Sequence, residues 1–336
     1  MNSYVSDKIK VLYTVLIIMV VYIHSYYIEA EQYKTALFIQ RFTGELCGIC
    51  NSLFFCISGY LFERNINSLK DVFKKLRKRF RTIGIPYILW NIIFVLWYVL
   101  LAVIPGLDKF NNSGNILEIY LTQPIWKSLY DLFIVPAAFQ LWFLRDLLAI
   151  LIFTPILWWI TNKKWSIALL LAFISILFYQ WLVFFWVGMI LSKSGKDIFN
   201  YKHPAWLIIL CVLIYVGNAI YYAIGHTHIK YGETFVYLAG LFLLWYVYDL
   251  LSHNKLISYS GIWKYLCGYS FFIYCFHEPT FNIIKKLVTH VIGTSEFTLI
   301  FFYFINPWIM IIIAVTVAKI LKHLLPGPYK ILTGGR

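Results

Sequence analysis

The sequence predicts an all-α integral membrane protein, a bundle of about ten transmembrane helices with both termini cytoplasmic, and three observations predict it. Of the 336 residues, 61% are hydrophobic and only 13% are charged, against roughly a quarter charged in a soluble domain. Mean hydropathy is +0.73. Long apolar runs recur from residue 9 to residue 321, leaving no room for a soluble domain of ~100 residues between them. One polytopic domain spanning residues 1–336 is therefore expected. The runs are continuous rather than alternating, so they read as helices, the structure that pairs its own backbone polar groups in lipid.

Taken in order, the runs place spans near 9–28, 42–62, 83–104, 140–160, 165–179, 180–193, 205–224, 232–251, 265–288 and 298–321. The first follows a short basic stretch with Lys8 and Lys10, which suits a signal peptide, but no small-residue cleavage site follows it. Its length of roughly twenty residues is that of a retained spanning anchor. The fifth and sixth runs are short and nearly touch; one long bent helix in their place would invert everything downstream.

Charge sets the orientation. With a cytoplasmic start, 21 of the Lys and Arg residues fall on the inner side. Seven fall outside (Lys34, Arg41, Lys109, Lys127, Lys230, Lys285 and Lys286), and Arg145 sits within a span. That bias follows the positive-inside rule. Because the net charge of +14 tracks topology, nucleic-acid binding is not expected. The connector 64–81 carries Lys70, Lys74, Lys75, Arg77, Lys78, Arg79 and Arg81. It reads either as a topology determinant lying on anionic lipid head groups, or as a docking surface for a multiply phosphorylated cytosolic ligand such as coenzyme A. All six cysteines lie in apolar runs, and Cys47 and Cys50 have no second pair or nearby His to complete a metal set, so no metal is expected.

Ionisable side chains inside spans cost several kcal/mol and mark function or pairing. His24 lies fifteen residues into the first span, about 22 Å of rise from its inner end. It reads as a snorkelling interfacial histidine or as a base for a hydroxyl proton. Arg145 and Asp146 follow Phe139-Gln140-Leu141-Trp142-Phe143-Leu144. Adjacent helical positions diverge by about 100°, so the two are expected to serve different partners, one of them a sugar or an imidazole. His277 and Glu278 precede Pro279 within the ninth run. Proline there predicts a kink with freed backbone groups, tolerated beside protein or a wet cavity.

In this order, the following segments resemble the membrane acyltransferase-3 family, which includes envelope-polysaccharide O-acetyltransferases: His24; Leu53-Phe54-Phe55-Cys56-Ile57-Ser58-Gly59-Tyr60-Leu61; the basic run into Arg81-Thr82-Ile83-Gly84-Ile85-Pro86-Tyr87; Leu141-Trp142-Phe143-Leu144; Tyr274-Cys275-Phe276-His277-Glu278-Pro279; and Leu332-Thr333-Gly334-Gly335-Arg336. The resemblance runs nearly end to end. It implies transfer of an acyl group from cytosolic acyl-CoA, acetyl-CoA or another, to a lipid-linked or surface glycan, in the cell inner (plasma) membrane. Acyl-CoA is then a co-substrate, no cofactor is permanently bound, and membrane lipids are the remaining partners. His24 matches the family's first-helix histidine, taken as catalytic, and Arg79 and Arg81, with Arg77 beside them, become phosphate contacts. On that reading Glu278 or Asp146 orients the imidazole, His277 lines the internal site, and Ser58 or Tyr60 hydrogen-bonds the oxyanion. One departure stands out. Many members carry an arginine eleven residues before the histidine, and here that position is Tyr13. Either another cation such as Arg145 substitutes, or the member is altered or inactive. The rival reading from another class is a transporter or flippase of a lipid-linked glycan.

Overall fold

The computed structural model describes residues 3–104, 122–136, 138–194, 203–227 and 232–335. Lys109, Lys230 and Arg336 lie outside the described residues. Among the described residues every regular element is helical. In chain order these are α1 (Ser3–Ile23), α2 (Lys34–Cys47), α3 (Ile49–Glu63), α4 (Leu69–Arg79) and α5 (Ile85–Val103). Then follow α6 (Ile125–Phe133), α7 (Trp142–Lys163), α8 (Trp165–Ile174), α9 (Gln180–Lys193) and α10 (Ala205–Ala223). The remainder are α11 (Gly232–His253), α12 (Gly261–Cys267), α13 (Ser270–Val291), α14 (Glu296–Leu324) and α15 (Pro326–Leu332).

Among the described residues six helical segments are long and apolar enough to cross a membrane: Lys34–Glu63, Leu69–Val103, Phe139–Lys163, Ala205–Ala223, Gly232–His253 and Glu296–Leu324. Large apolar side chains point outward along them, Trp206, Ile209 and Leu213 of α10 being 58 to 66% exposed. Such a face is stable only against lipid. The helices α1 and α13 are of spanning length, at 21 and 22 residues, but carry Asp7, Lys8 and Lys10, and Glu278, Lys285 and Lys286, respectively.

Boundaries differ from the sequence reading where local chemistry intervenes. The first helix starts and ends earlier than expected, at Ser3 and Ile23, so His24 falls in the turn just beyond it. The second span is two helices meeting at Gly48. The fifth and sixth runs are separate helices, not one bent helix: a 3₁₀ turn at Ser175–Leu177 and an extended Tyr179 (φ −159°, ψ 99°) divide them, and they pack on each other.

The chain packs as two compact units. The first comprises Met1–Phe73, Phe153–Ser270 and Thr294–Pro307. Within it α1 packs on α2, α3 and α12, and α11 on α3 and α10. Its most extensive helix contact is α3 against α9, and glycine makes that approach possible. A Cβ on Gly59 would lie 1.9 Å from the Phe185 carbonyl oxygen, and one on Gly188 would lie 2.0 Å from that of Cys56. Lipid tails supply no hydrophobic force between helices, so close backbone contact of this kind holds them together.

An ion pair the sequence reading did not anticipate joins α1 to α11 in the same unit. Lys8 is fully buried, its Nζ 2.7 Å from Asp249 Oδ2 and 3.9 Å from the centroid of the Trp245 ring. The Tyr4 hydroxyl donates to the other oxygen of Asp249. Lys8 was expected to flank the first span as a topology charge; it lies inside the helix because its charge is neutralised there. The second unit comprises Lys74–Ile152, Phe271–Gly293 and Trp308–Arg336, with α5 packed on α6 and α15.

Two predictions follow from this packing. Gly188→Ala forces a methyl into a backbone carbonyl and costs about 1–3 kcal/mol, read as a lowered melting temperature in detergent. Asp249→Asn leaves Lys8 buried without its counter-charge and costs about 3 kcal/mol, whereas Lys8→Met with Asp249→Leu recovers most of that loss. Thermal unfolding of the single and double variants checks both.

Candidate functional site

Three prolines decide where the chemistry-bearing residues sit. A proline inside a helix has no N–H, so the carbonyl four residues before it has no partner in its own helix. In hydrocarbon that carbonyl must find a donor elsewhere.

In the first unit, Pro307 of α14 frees the carbonyl of Tyr303, and the Ser25 hydroxyl donates to it at 2.7 Å. The Tyr22 hydroxyl donates to the next carbonyl, that of Phe304, at 3.1 Å. Tyr27 extends the attachment: its N–H donates to Gln40 Oε1 of α2 at 2.8 Å, and its hydroxyl accepts from Asn306 Nδ2. Ser25, Tyr27, Gln40 and Asn306 are all buried. The turn carrying His24 is thus bound on both sides to α2 and α14, and the half-buried His24 is held at the end of α1 by its neighbours. Ser25, Gln40 and Asn306 escaped the sequence reading; only Asn306, immediately before Pro307, carried a local signal.

Other first-unit residues lie elsewhere. The Tyr13 ring packs against Phe54, with centroids 5.3 Å apart. Eleven residues of helix separate it from His24 by about 16 Å of rise, beyond the reach of a phenol. Tyr60 lines a cavity with Ile9, and Ile9 is fifteen residues, about 22 Å of rise, from His24. A hydrogen bond from the Tyr60 phenol to an oxyanion formed at His24 is therefore out of reach. Ser58, half-buried two residues earlier on α3, shares that end of the unit.

In the second unit, Pro279 frees the carbonyl of Cys275, and Gln140 Nε2 donates to it at 3.0 Å and also to the carbonyl of Glu278. The Tyr274 hydroxyl returns a bond to the Gln140 carbonyl. Glu278 itself is extended (φ −107°, ψ 143°), the conformation that a following proline imposes. The expected kink is present, and Gln140, from the 3₁₀ turn Phe139–Leu141 ahead of α7, pins it. Glu278 Oε2 accepts from Asn282 Nδ2 at 2.8 Å. The buried His277 has Nδ1 at 2.8 Å from the Tyr274 carbonyl. A carbonyl only accepts, so Nδ1 carries the proton and Nε2 holds the lone pair of the neutral ring.

Arg145 and Asp146 were expected to serve different partners; they pair instead, Arg145 Nε lying 2.6 Å from Asp146 Oδ1. The arginine stem is long enough to fold back over the divergence of adjacent positions. Its Nη1 also donates to the Ile134 carbonyl at 2.7 Å, capping the C-terminus of α6 where a cation is favoured.

The basic run forms α4 and continues through a π turn, Phe80–Gly84, into α5. Arg77 and Arg81 are exposed and Arg79 is half-buried. The freed carbonyl here is that of Thr82, four residues before Pro86. Gly334 approaches it so closely that a Cβ would lie 2.1 Å from the oxygen, and Gly334 has φ +65°. Trp90 Nε1 donates to the Leu332 carbonyl at 3.1 Å. The C-terminal Thr333-Gly334-Gly335 segment and the Arg81–Tyr87 segment, far apart in sequence, are therefore neighbours. Among the described residues no cluster of His, Cys, Asp and Glu suits a metal ion.

Comparison with known proteins places these arrangements. The chain is 26% identical to the succinoglycan biosynthesis protein ExoH of Rhizobium meliloti (strain 1021), over an alignment covering 100% of this chain and 94% of that protein. No solved structure matches. The family model described as an acyltransferase domain, Acyl_transf_3, matches residues 7–321. That match takes in the His24 turn, the π turn beside the basic run and the Gln140-pinned kink: the chain belongs to the acyltransferase-3 family.

Proposed function

We propose that this protein transfers an acetyl or other short acyl group from cytosolic acyl-CoA to a hydroxyl of a cell-surface or lipid-linked sugar. The observation that carries the reading is the family match over 7–321 together with a histidine held at the end of α1 by buried hydrogen bonds. The relative's printed role in succinoglycan biosynthesis supports a polysaccharide as acceptor. Counting α1, α13 and the short helices α8 and α9 with the six long apolar segments makes ten spans. With both termini cytoplasmic, the basic run faces the cytosol and His24 faces the outer side of the inner membrane.

On this reading Arg77, Arg79 and Arg81 take the phosphates of the donor, their planar forks suiting phosphate oxygens. His24 removes the proton from the sugar hydroxyl as the oxygen attacks the thioester carbonyl. The tetrahedral intermediate then collapses, the acyl–oxygen bond remains, and the thiolate leaves and takes up the proton. In the variant mechanism the imidazole itself carries the acyl group between the two. Asp146 and Glu278, each already held by a hydrogen bond, are the carboxylates available to orient donor or acceptor.

Three experiments test this. His24→Ala abolishes glycan acylation while protein level and membrane insertion stay unchanged, measured by mass spectrometry of the surface glycan for the loss of one acyl unit. Retained acylation sinks the assignment. Purified wild-type protein slowly hydrolyses acetyl-CoA, whereas a glycan transporter leaves it intact. Gln140→Leu leaves two carbonyls of the α13 kink unpaired, costs about 2 kcal/mol of stability and lowers acyl transfer, read by thermal unfolding beside the same glycan assay.

A further inference from the structure

The residues after α15 are held against the turn that joins the basic helix to α5, and both sides of that contact lie in the second unit. They fall beyond residues 7–321, the extent of the family match. Two nested backbone bonds close α15: Gly335 N–H donates to the Lys330 carbonyl at 2.7 Å, and Gly334 N–H to the Ile331 carbonyl at 3.1 Å. This is the Schellman ending, whose left-handed residue is Gly334, at φ +65°. The buried Thr333 donates its hydroxyl to the Tyr329 carbonyl at 2.8 Å, and the buried Tyr329 ring stacks on Phe272 with centroids 5.9 Å apart. The ending is therefore fixed by bonds of its own.

It meets the long helix at two points. Trp90 Nε1 donates to the Leu332 carbonyl, and Gly334 lies against the Thr82 carbonyl. The Cα hydrogen that a Cβ would replace points at that oxygen, a Cα–H···O contact. Thr82 and Trp90 stand on opposite sides of Pro86, about 12 Å of helical rise apart. Residues 332–334 thus splint the helix across its proline.

Thr82 is the middle residue of the π turn Phe80–Gly84. In a π turn each bond reaches one residue further than in an α-helix, and such turns occur singly, often at functional sites. The extra residue governs direction. Relaxation of the turn to α-helix would swing every side chain on its α4 side by about 100° relative to α5, the rotation of one helical residue. The exposed Arg81 adjoins Thr82 inside the turn, so the direction of its guanidinium depends on the register that the splint holds.

We propose that Gly334 is a positioning residue for donor recognition: through Thr82 it holds the π turn in the register that aims Arg81 at a phosphate of the acyl-CoA donor. The inference rests on the reading of Arg77, Arg79 and Arg81 as phosphate contacts. Glycine is required at 334 twice over, by the positive φ and by the Thr82 oxygen, 2.1 Å from where a Cβ would lie. Gly335 separates the two requirements, because it shares a positive φ, +83°, yet has nothing within 4 Å of its Cβ position.

The test measures coenzyme A binding to the purified full-length protein by calorimetry. Gly334→Ala weakens binding about tenfold, the loss of one charge-assisted bond to phosphate, while Gly335→Ala stays within about twofold of wild type. In an Arg81→Ala background Gly334→Ala weakens binding no further, because the group it positions is gone. General damage to packing gives the same factor in both backgrounds. Trp90→Phe keeps an aromatic ring against Phe272 and removes the N–H from the Leu332 carbonyl. It weakens binding in the same Arg81-dependent way, and it reports even if Gly334→Ala does not insert. The proposal falls if Gly334→Ala binds as wild type does, if Gly335→Ala weakens binding equally, or if the loss persists without Arg81. Those results leave the donor reading standing as long as Arg81→Ala itself weakens binding. Wild-type protein with no affinity for coenzyme A, or Arg81→Ala binding as wild type does, overturns the donor reading and this inference together.

Discussion

A backbone carbonyl stripped of its helical partner cannot remain bare in hydrocarbon, and that constraint organises this protein. Pro307 and Pro279 each free a carbonyl that a residue distant in sequence meets, Ser25 at Tyr303 and Gln140 at Cys275, and beside Pro86 the Gly334 backbone packs closely against Thr82. An unpaired carbonyl in lipid costs several kcal/mol, so these attachments bind the chain as strongly as a good apolar contact. They occur beside the candidate site residues. Ser25 adjoins His24, Gln140 braces His277 and Glu278, and Gly334 sits against the π turn that continues the basic run. Irregular backbone in a membrane is confined to places where protein or water covers it, so the same breaks that need partners are the places where a polar site is built.

Charge obeys the same rule. Lys8 with Asp249, and Arg145 with Asp146, are pairs whose members would be prohibitive alone at such depth. Arg145 is engaged twice over, by Asp146 and by the Ile134 carbonyl that caps α6. Arg145, the expected substitute for a cation at position 13, is thus committed to contacts within the second unit, while the Tyr13 ring packs against Phe54. Lys70, Lys74, Arg77, Lys78 and Arg81 stay exposed close together in α4 and the turn after it.

Much of the architecture was legible from one-dimensional pattern. Apolar run lengths marked every long helix, because the thickness of hydrocarbon imposes a length that composition alone reveals. The kink at Glu278 was legible too, since proline acts on its immediate neighbour. The pairing of Arg145 with Asp146 was misread because helical divergence fixes where Cβ atoms point and not where a long flexible stem can reach. Lys8 was misread as a flanking charge because its counter-ion lies 241 residues away.

What the sequence determined alone, then, was everything set by local stereochemistry and by the solvent: the helical class, the long apolar helices, the breaks and the family motifs in their order. Tertiary structure decided which donor reaches the freed carbonyls of Tyr303 and Cys275, that glycines at 59 and 188 meet opposing backbone, and that Tyr60 lines a cavity with Ile9, at the far end of α1 from His24. These are contacts between residues tens to hundreds of positions apart. No periodicity encodes them, because they depend on how whole helices pack once lipid has made each one stable by itself.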